Sequence, residues 1–269
     1  RSGVTNIALE GIMLIGAFFG IWAVQILERN TGLSVQYLYV IAMLVGAFFG
    51  ALFSMLHGFA SIYMKSDQII SATALNLFAV AFVTFTARMT QRHIDGRPTG
   101  GSQISFRSRF LIEEVPVLSR IPVIGDIFFK QTFLSIFIGA IILVLTIVII
   151  NHTKLGLRIR ACGENPHAAD SLGINIYRLR FLAVTVSGAL AGIGGVFYIA
   201  NTSTEYAPTV AGIGFLAIAV LIFGNWKPHL ILFAALFFGV MRVTGQYYGN
   251  IPFLRDLGIP GAFYRMTPY

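Results

Sequence analysis

Six stretches of the chain contain no Asp, Glu, Lys or Arg: residues 11–27, 30–64, 68–87, 131–153, 181–204 and 206–226. A helix needs about 20 apolar residues to cross roughly 30 Å of hydrocarbon. Several of these stretches meet that length, and 30–64 can hold a span plus a lead-in loop. The pattern predicts helices near 9–27, 37–56, 68–87, 131–150, 181–200, 213–223 and 229–247. The helix over 213–223 is short and follows Pro208 and Gly212, as a half-span or a broken helix would. The expected fold is all-α: a polytopic transmembrane bundle of about seven visible spans, forming one domain over 1–269.

Composition sharpens this. The chain is 56% hydrophobic and 11% charged, with a mean hydropathy of +0.78. A water-soluble domain carries about a quarter charged residues, so lipid is the expected solvent. One motif nearly repeats: Met13-Leu14-Ile15-Gly16-Ala17-Phe18-Phe19-Gly20 and Met43-Leu44-Val45-Gly46-Ala47-Phe48-Phe49-Gly50. Small residues four apart let helix backbones approach closely in lipid, which is the expected role of both copies.

Charge sets orientation. The net charge of +8 suits basic flanks of spans, and no nucleic-acid partner is expected. Segment 151–180 carries Lys154, Arg158, Arg160, Arg178 and Arg180, whereas 201–212 carries only Glu205. The intervening span therefore runs from the cytoplasm outward. Alternation then places a loop over about 88–130 outside, although it is rich in arginine. The lone Cys162 excludes an internal disulfide and a cysteine-based metal site. No signal peptide is visible.

The loop over about 151–180 holds the densest local signal. Asn165-Pro166 reads as an N-cap followed by proline at the first helical position, and Gly173 as the C-terminal stop. Between them Pro166–Leu172 predicts two turns of helix. On these features alone, an ordinary interfacial helix remains open.

The run Thr153-Lys154-Leu155-Gly156-Leu157-Arg158-Ile159-Arg160-Ala161-Cys162-Gly163-Glu164-Asn165-Pro166-His167-Ala168-Ala169-Asp170-Ser171-Leu172-Gly173-Ile174 resembles the cytoplasmic loop of ATP-binding-cassette permeases that import branched-chain amino acids, simple sugars and nucleosides. Asn6-Ile7-Ala8-Leu9-Glu10-Gly11 looks like that family's Asn-Ile-x-x-Glu-Gly segment, with Ala8 where Gly is more usual. Gly212–Val220 resembles the stretch before the last spans, and Pro116–Gly125 an external loop of nucleoside-type members. The resemblance implies a short helix that docks on a separate ATPase, with Gly163, Glu164, Asn165, Pro166, Ala168, Ala169 and Gly173 in this coupling element. It further implies an ATP-binding subunit that holds ATP and Mg, a second permease subunit (identical or homologous), and an extracytoplasmic substrate-binding protein or lipoprotein. No cofactor or metal is expected in this chain, and its place would be the bacterial cytoplasmic membrane. Family members carry spans before and after the residues seen here, so the complete subunit is expected to have 8–10.

Polar residues within spans are costly and need an account. Asn6 and Glu10 are four apart and would share a helix face. They are read either as a substrate-facing pair at a broken helix, or with Glu10 capping or pairing locally at the interface. Gln68, Ser71 and Asn76 fall within about 140° of arc on the third span. They suit either a neutral polar cargo, which needs donors and acceptors, or helix–helix contact through amides. Phe215 could stack on a base.

Enzyme readings fare poorly. The chain has no Gly-x-x-x-x-Gly-Lys-Ser/Thr, His-Glu-x-x-His or Gly-x-Ser-x-Gly, and its five histidines are scattered as loop or interface residues. The expected function, as the resemblance implies it, is an ATP-driven nucleoside permease without catalytic residues of its own. The alternatives are simple sugars or branched-chain amino acids as cargo, or a secondary transporter driven by an ion gradient. The spans carry few ionisable groups for coupling, which disfavours the last.

Overall fold

The computed structural model describes residues 2–95, 101–114, 129–250, 252–253 and 260–266. They form two compact units, 1–214 and 215–269. In the first, helix α1 (Leu9–Asn30) is followed by α2 (Val35–Gly58), which ends in a π turn over Phe59–Tyr63, and α3 (Gln68–Asp95). Strands β1 (Ile104–Ser105), β2 (Leu111–Glu114) and β3 (Lys130–Phe133) lead to α4 (Leu134–His152). Helices α5 (Lys154–Glu164), α6 (Pro166–Ser171) and α7 (Ile176–Thr202) precede β4 (Glu205–Tyr206). Helix α8 (Ile213–Phe223) begins where the first unit ends, and the second adds α9 (Pro228–Tyr247) and α10 (Gly261–Met266).

Among the described residues six helices are long and apolar enough to cross a membrane, and α8 is a shorter apolar helix. All seven expected helices are present, and their differences in extent have local causes. Helix α3 continues to Asp95, past the loop start expected at 88, because no Gly or Pro interrupts it before Gly96. Gln91 on that extra turn is buried and donates to Gln25 Oε1 at 3.4 Å. Helix α4 starts at Leu134, not 131, because Lys130–Phe133 pairs with Leu111–Glu114 as antiparallel strands. Helix α7 starts five residues early, where the Asn175 side chain accepts from Arg178 N–H at 3.0 Å.

The core is a three-helix junction of α1, α2 and α7, with Ile12, Ala17, Phe18, Ile21 and Val196 fully buried. Both copies of the octapeptide lie in it. A methyl group on Gly192 of α7 would overlap the carbonyl oxygen of Gly46, and one on Gly16 the Gly192 backbone. Gly50 meets Gly188, and Gly195 meets the Met13 carbonyl, equally closely. Backbone approaches backbone at every contact, so dispersion and packing hold this layer. Phe19 and Phe49, equivalent positions of the two copies, stack with centroids 3.7 Å apart. The close-packing role expected for the repeat is thus observed.

One end of this junction is tied by strands and polar side chains. Strand β1 pairs antiparallel with β4, Ile104 opposite Tyr206. Glu28 accepts from the amides of Arg107 and Ser108 at 3.0 and 2.8 Å. Tyr39 donates to Asn201 Oδ1 at 3.2 Å, and Asn201 Nδ2 to Ser135 Oγ at 2.8 Å. The two segments expected outside, 101–114 and 203–206, therefore share one end of α7, while the basic loop over 151–180 leads into the other.

Candidate functional site

The chain ahead of α1 is irregular: Gly3 has a φ of +84°, and helix begins only at Leu9. Irregular backbone at membrane depth must find hydrogen-bond partners inside the protein. Here side chains from α2 and α3 supply them. Thr5 N–H donates to Gln68 Oε1 at 3.1 Å, and Gly11 N–H to Asn76 Oδ1 at 2.8 Å. Asn76 Nδ2 donates to the Ile7 carbonyl at 3.4 Å. His57 lies 3.4 Å from the Thr5 carbonyl through Nε2 and 3.1 Å from Ser71 Oγ through Nδ1. A carbonyl only accepts, so in the neutral ring Nε2 carries the proton and Nδ1 accepts from Ser71.

Asn6 is buried in the same cluster. Its Nδ2 donates to Ser187 Oγ on α7 at 3.3 Å, while its Oδ1 is buried without a hydrogen-bond partner among the described residues. Ser187 lies seven residues beyond Arg180, or about 10 Å along the helix. The cluster therefore sits inside the span, on the side of the basic loop.

Glu10 joins α1 to the start of α8. Its carboxylate accepts from Gly212 N–H at 2.9 Å and Gly214 N–H at 2.7 Å. Those are first-turn amides that lack helical partners, and the helix dipole favours an anion there. Tyr206 donates to the Leu14 carbonyl at 3.1 Å, about 6 Å further along α1. Burial pushes its phenol well above the usual value, so it remains a donor. The segment from Tyr206 to Gly212 thus runs alongside α1 from the strand-tied end to Glu10. Ala211 and Gly212 turn it there with φ of +51° and +75°. A side chain at Gly214 would overlap the Glu10 backbone, which requires glycine at that approach. The expected half-span is α8, which starts at this carboxylate.

Five of the six sequence-predicted pathway residues, Asn6, Glu10, Gln68, Ser71 and Asn76, come together in the first unit. Phe215 is exposed and belongs to the second. The polar stripe on α3 meets the irregular segment directly through Gln68 and Asn76, and through His57 from Ser71. Asn6 and Glu10 do not share a helix face, because Asn6 precedes the first turn of α1. His57, expected as a loop or interface residue, is instead fully buried in α2. An ionisable group in a charge-free run was the available signal for it. Ser187 carried no such signal. Among the described residues no group of three His, Cys, Asp or Glu could hold a metal ion.

The hairpin that the resemblance marks as a coupling element has the expected local structure. Asn165 Oδ1 accepts from Ala168 N–H at 3.1 Å with Pro166 at the first position of α6. At the far end Gly173 has a φ of +77°; its N–H donates to the Asp170 carbonyl, and Ile174 N–H donates to that of Ala169. This is the paired closure of a Schellman stop. Ala168 is exposed but Ala169 is buried, so only the first presents its methyl at the surface. Cys162, near the end of α5, is buried, which pushes its thiol up despite the opposing pull of Arg180. A cleft of about 400 Å³ separates α6 from the irregular segment ahead of α1, with Val4, Gln68, Pro166, His167, Asp170 and Arg180 among its walls. The external-loop motif Pro116–Gly125 lies outside the described residues.

Comparison with known proteins matches residues 1–263 to a family described as the permease component of branched-chain amino acid transport systems. The chain is 38% identical over 270 residues to the nucleoside ABC transporter permease protein NupC of Lactococcus lactis subsp. cremoris, covering all of this chain and 81% of that protein. It is 35% identical over 271 residues to the guanosine ABC transporter permease protein NupQ of Bacillus subtilis, with the same coverage of both. The putative glucose ABC transporter permease protein TsgC13 of Haloferax volcanii is 30% identical over 245 residues, covering 90% of this chain and 68% of that one. No solved structure matches it. Six apolar helices of spanning length, a backbone-binding polar cluster within them and this match over nearly the whole length give one conclusion: the chain belongs to the family of multi-pass membrane permease components of branched-chain amino acid-type ABC transport systems.

Proposed function

We propose that this chain is the permease subunit of a nucleoside importer, acting as one domain over 1–269 in the cytoplasmic membrane. The similarity to two nucleoside-type permeases over the whole chain carries this reading. A separate ATP-binding subunit supplies energy, a second permease subunit completes the route, and an extracytoplasmic binding protein delivers cargo. In this reading Asn6, Glu10, Gln68, Ser71, Asn76 and Phe215 border the path. The buried, unpartnered Oδ1 of Asn6 supports its part, since it is free to accept from a base or ribose. Gln68, Ser71 and Asn76 act indirectly, by holding the segment that carries Asn6. Alternating access follows if the bundle rocks about the glycine junction while its inner end rearranges.

Helix α6, bounded by Gly163, Glu164, Asn165, Pro166 and Gly173, receives the ATPase stroke through its exposed side at Ala168, while Ala169 fastens it to the permease. The test is uptake by proteoliposomes that contain the assembled transporter and its binding protein. Guanosine, uridine, glucose and leucine are offered in turn. ATP-dependent nucleoside uptake, abolished by Ala168→Asp while the complex still forms, is expected. Uptake of glucose or leucine alone would replace the cargo, and uptake driven by an ion gradient without ATP would overturn the reading.

A further inference from the structure

We infer that Arg180 is the joint through which motion of the coupling hairpin reaches the intramembrane polar cluster. The inference rests on the proposed ATP-driven function. Arg180 lies in the first turns of α7 and is half-buried. Its guanidinium spans two separate pieces of backbone. Nε donates to the Ser2 carbonyl at 3.0 Å, and Nη2 to the Cys162 carbonyl at 3.1 Å. The first carbonyl belongs to the irregular segment ahead of α1, and the second to the end of α5. Gly3 has a φ of +84° and lies so close to Nη2 that a methyl group there would displace the guanidinium. The approach is therefore built for direct contact.

What stands on either side gives the joint its use. From Cys162 the chain reaches α6 within four residues, with Asn165 as both the end of α5 and the N-cap of α6. From Ser2 it reaches Thr5 and Asn6 within four residues, and there it meets Gln68, His57 and Ser187. The cleft between α6 and this segment also has Arg180 in its wall. A force on α6 thus has a route from the hairpin, across one planar fork, to the backbone that carries Asn6. A fork with fixed donor directions transmits displacement between two carbonyls, while a lysine, with rotatable donors on a flexible stem, holds them in no fixed geometry. Arg180 touches no cargo in this scheme and is a positioning residue.

The complete transporter, with its ATP-binding and second permease subunits, is reconstituted with wild-type, Arg180→Met or Arg180→Lys permease. Guanosine uptake and ATP hydrolysis are measured on the same vesicles. Coupling energies between sites correspond to several-fold to hundred-fold effects. Arg180→Met is expected to lower guanosine moved per ATP hydrolysed about tenfold, with hydrolysis near the wild-type rate, and Arg180→Lys to fall between. Equal loss of uptake and hydrolysis in both variants would reduce Arg180 to a structural residue and overturn the joint. A wild-type ratio in Arg180→Met would do the same. Should Arg180→Met fail to assemble, the ratio in Arg180→Lys decides: a lowered value supports the joint and an unchanged one removes it. A wild-type complex that hydrolyses ATP but moves neither nucleoside, sugar nor leucine would fail at the level of function, before any variant is compared, and the joint would fall with it.

Discussion

The middle of the α1–α2–α7 junction and its inner end are built on opposite principles. In the middle, seven glycines from three helices bring backbone against backbone, and no side chain can be added without overlap. At the inner end the backbone leaves the helix, and side chains from α2, α3 and α7 reach in to satisfy it. The first arrangement has one geometry. The second is a set of hydrogen bonds that can be exchanged singly, each of modest net strength. A transporter needs both: a layer that stays fixed and a layer that rearranges around it.

The sharpest way to break this contrast is Gly192→Val. Its side chain would meet the Gly46 carbonyl and the Gly50 backbone, which no change of rotamer can avoid. Overpacking of this kind costs about 3 kcal/mol or more, and folded protein should be lost on size-exclusion chromatography in detergent. A monodisperse Gly192→Val protein would show that the junction is not rigid. Next comes Asn76→Leu, which leaves Gly11 N–H and the Ile7 carbonyl without their partner at about 1–3 kcal/mol each. With both amide atoms bonded to backbone, the thermal midpoint should fall along with uptake.

A smaller effect is expected of Glu10→Gln. The amide keeps one acceptor for Gly212 or Gly214 but turns an N–H₂ towards the other, and the anion at the α8 N-terminus is lost. Hydrogen bonds to charged groups are worth about 1.5–3 kcal/mol, so a drop of that size, read as a lowered thermal midpoint, is anticipated. At the other extreme, Gly139→Val on α4 should shift stability by no more than about 0.5 kcal/mol, because no described residue of a neighbouring element stands within 4 Å of an added Cβ. A large loss there would mean that α4 is covered in the assembled state.

Much of the fold was legible because lipid imposes a simple rule: a span excludes charge. Windows without Asp, Glu, Lys or Arg located every long helix among the described residues except α9, an apolar run that carries Arg242, and the Asn165–Gly173 punctuation located α6, since caps act within a few residues. The end of α3 escaped because Arg88 and Arg92 mark a span boundary without ending a helix. The candidate site was half legible. Asn6, Gln68, Ser71 and Asn76 stood out as polar groups in apolar runs, but Ser187 looked like any serine in a transmembrane helix.

What the sequence determined by itself is the solvent, the apolar helices and the local stops, all properties of short windows. What only the tertiary structure decided is which groups bond to which. Asn6 finds Ser187 across 181 positions, and Glu10 finds Gly214 across 204. The physical reason is that a buried amide accepts any correctly placed partner, and placement is fixed only when glycine-packed helices set their separation.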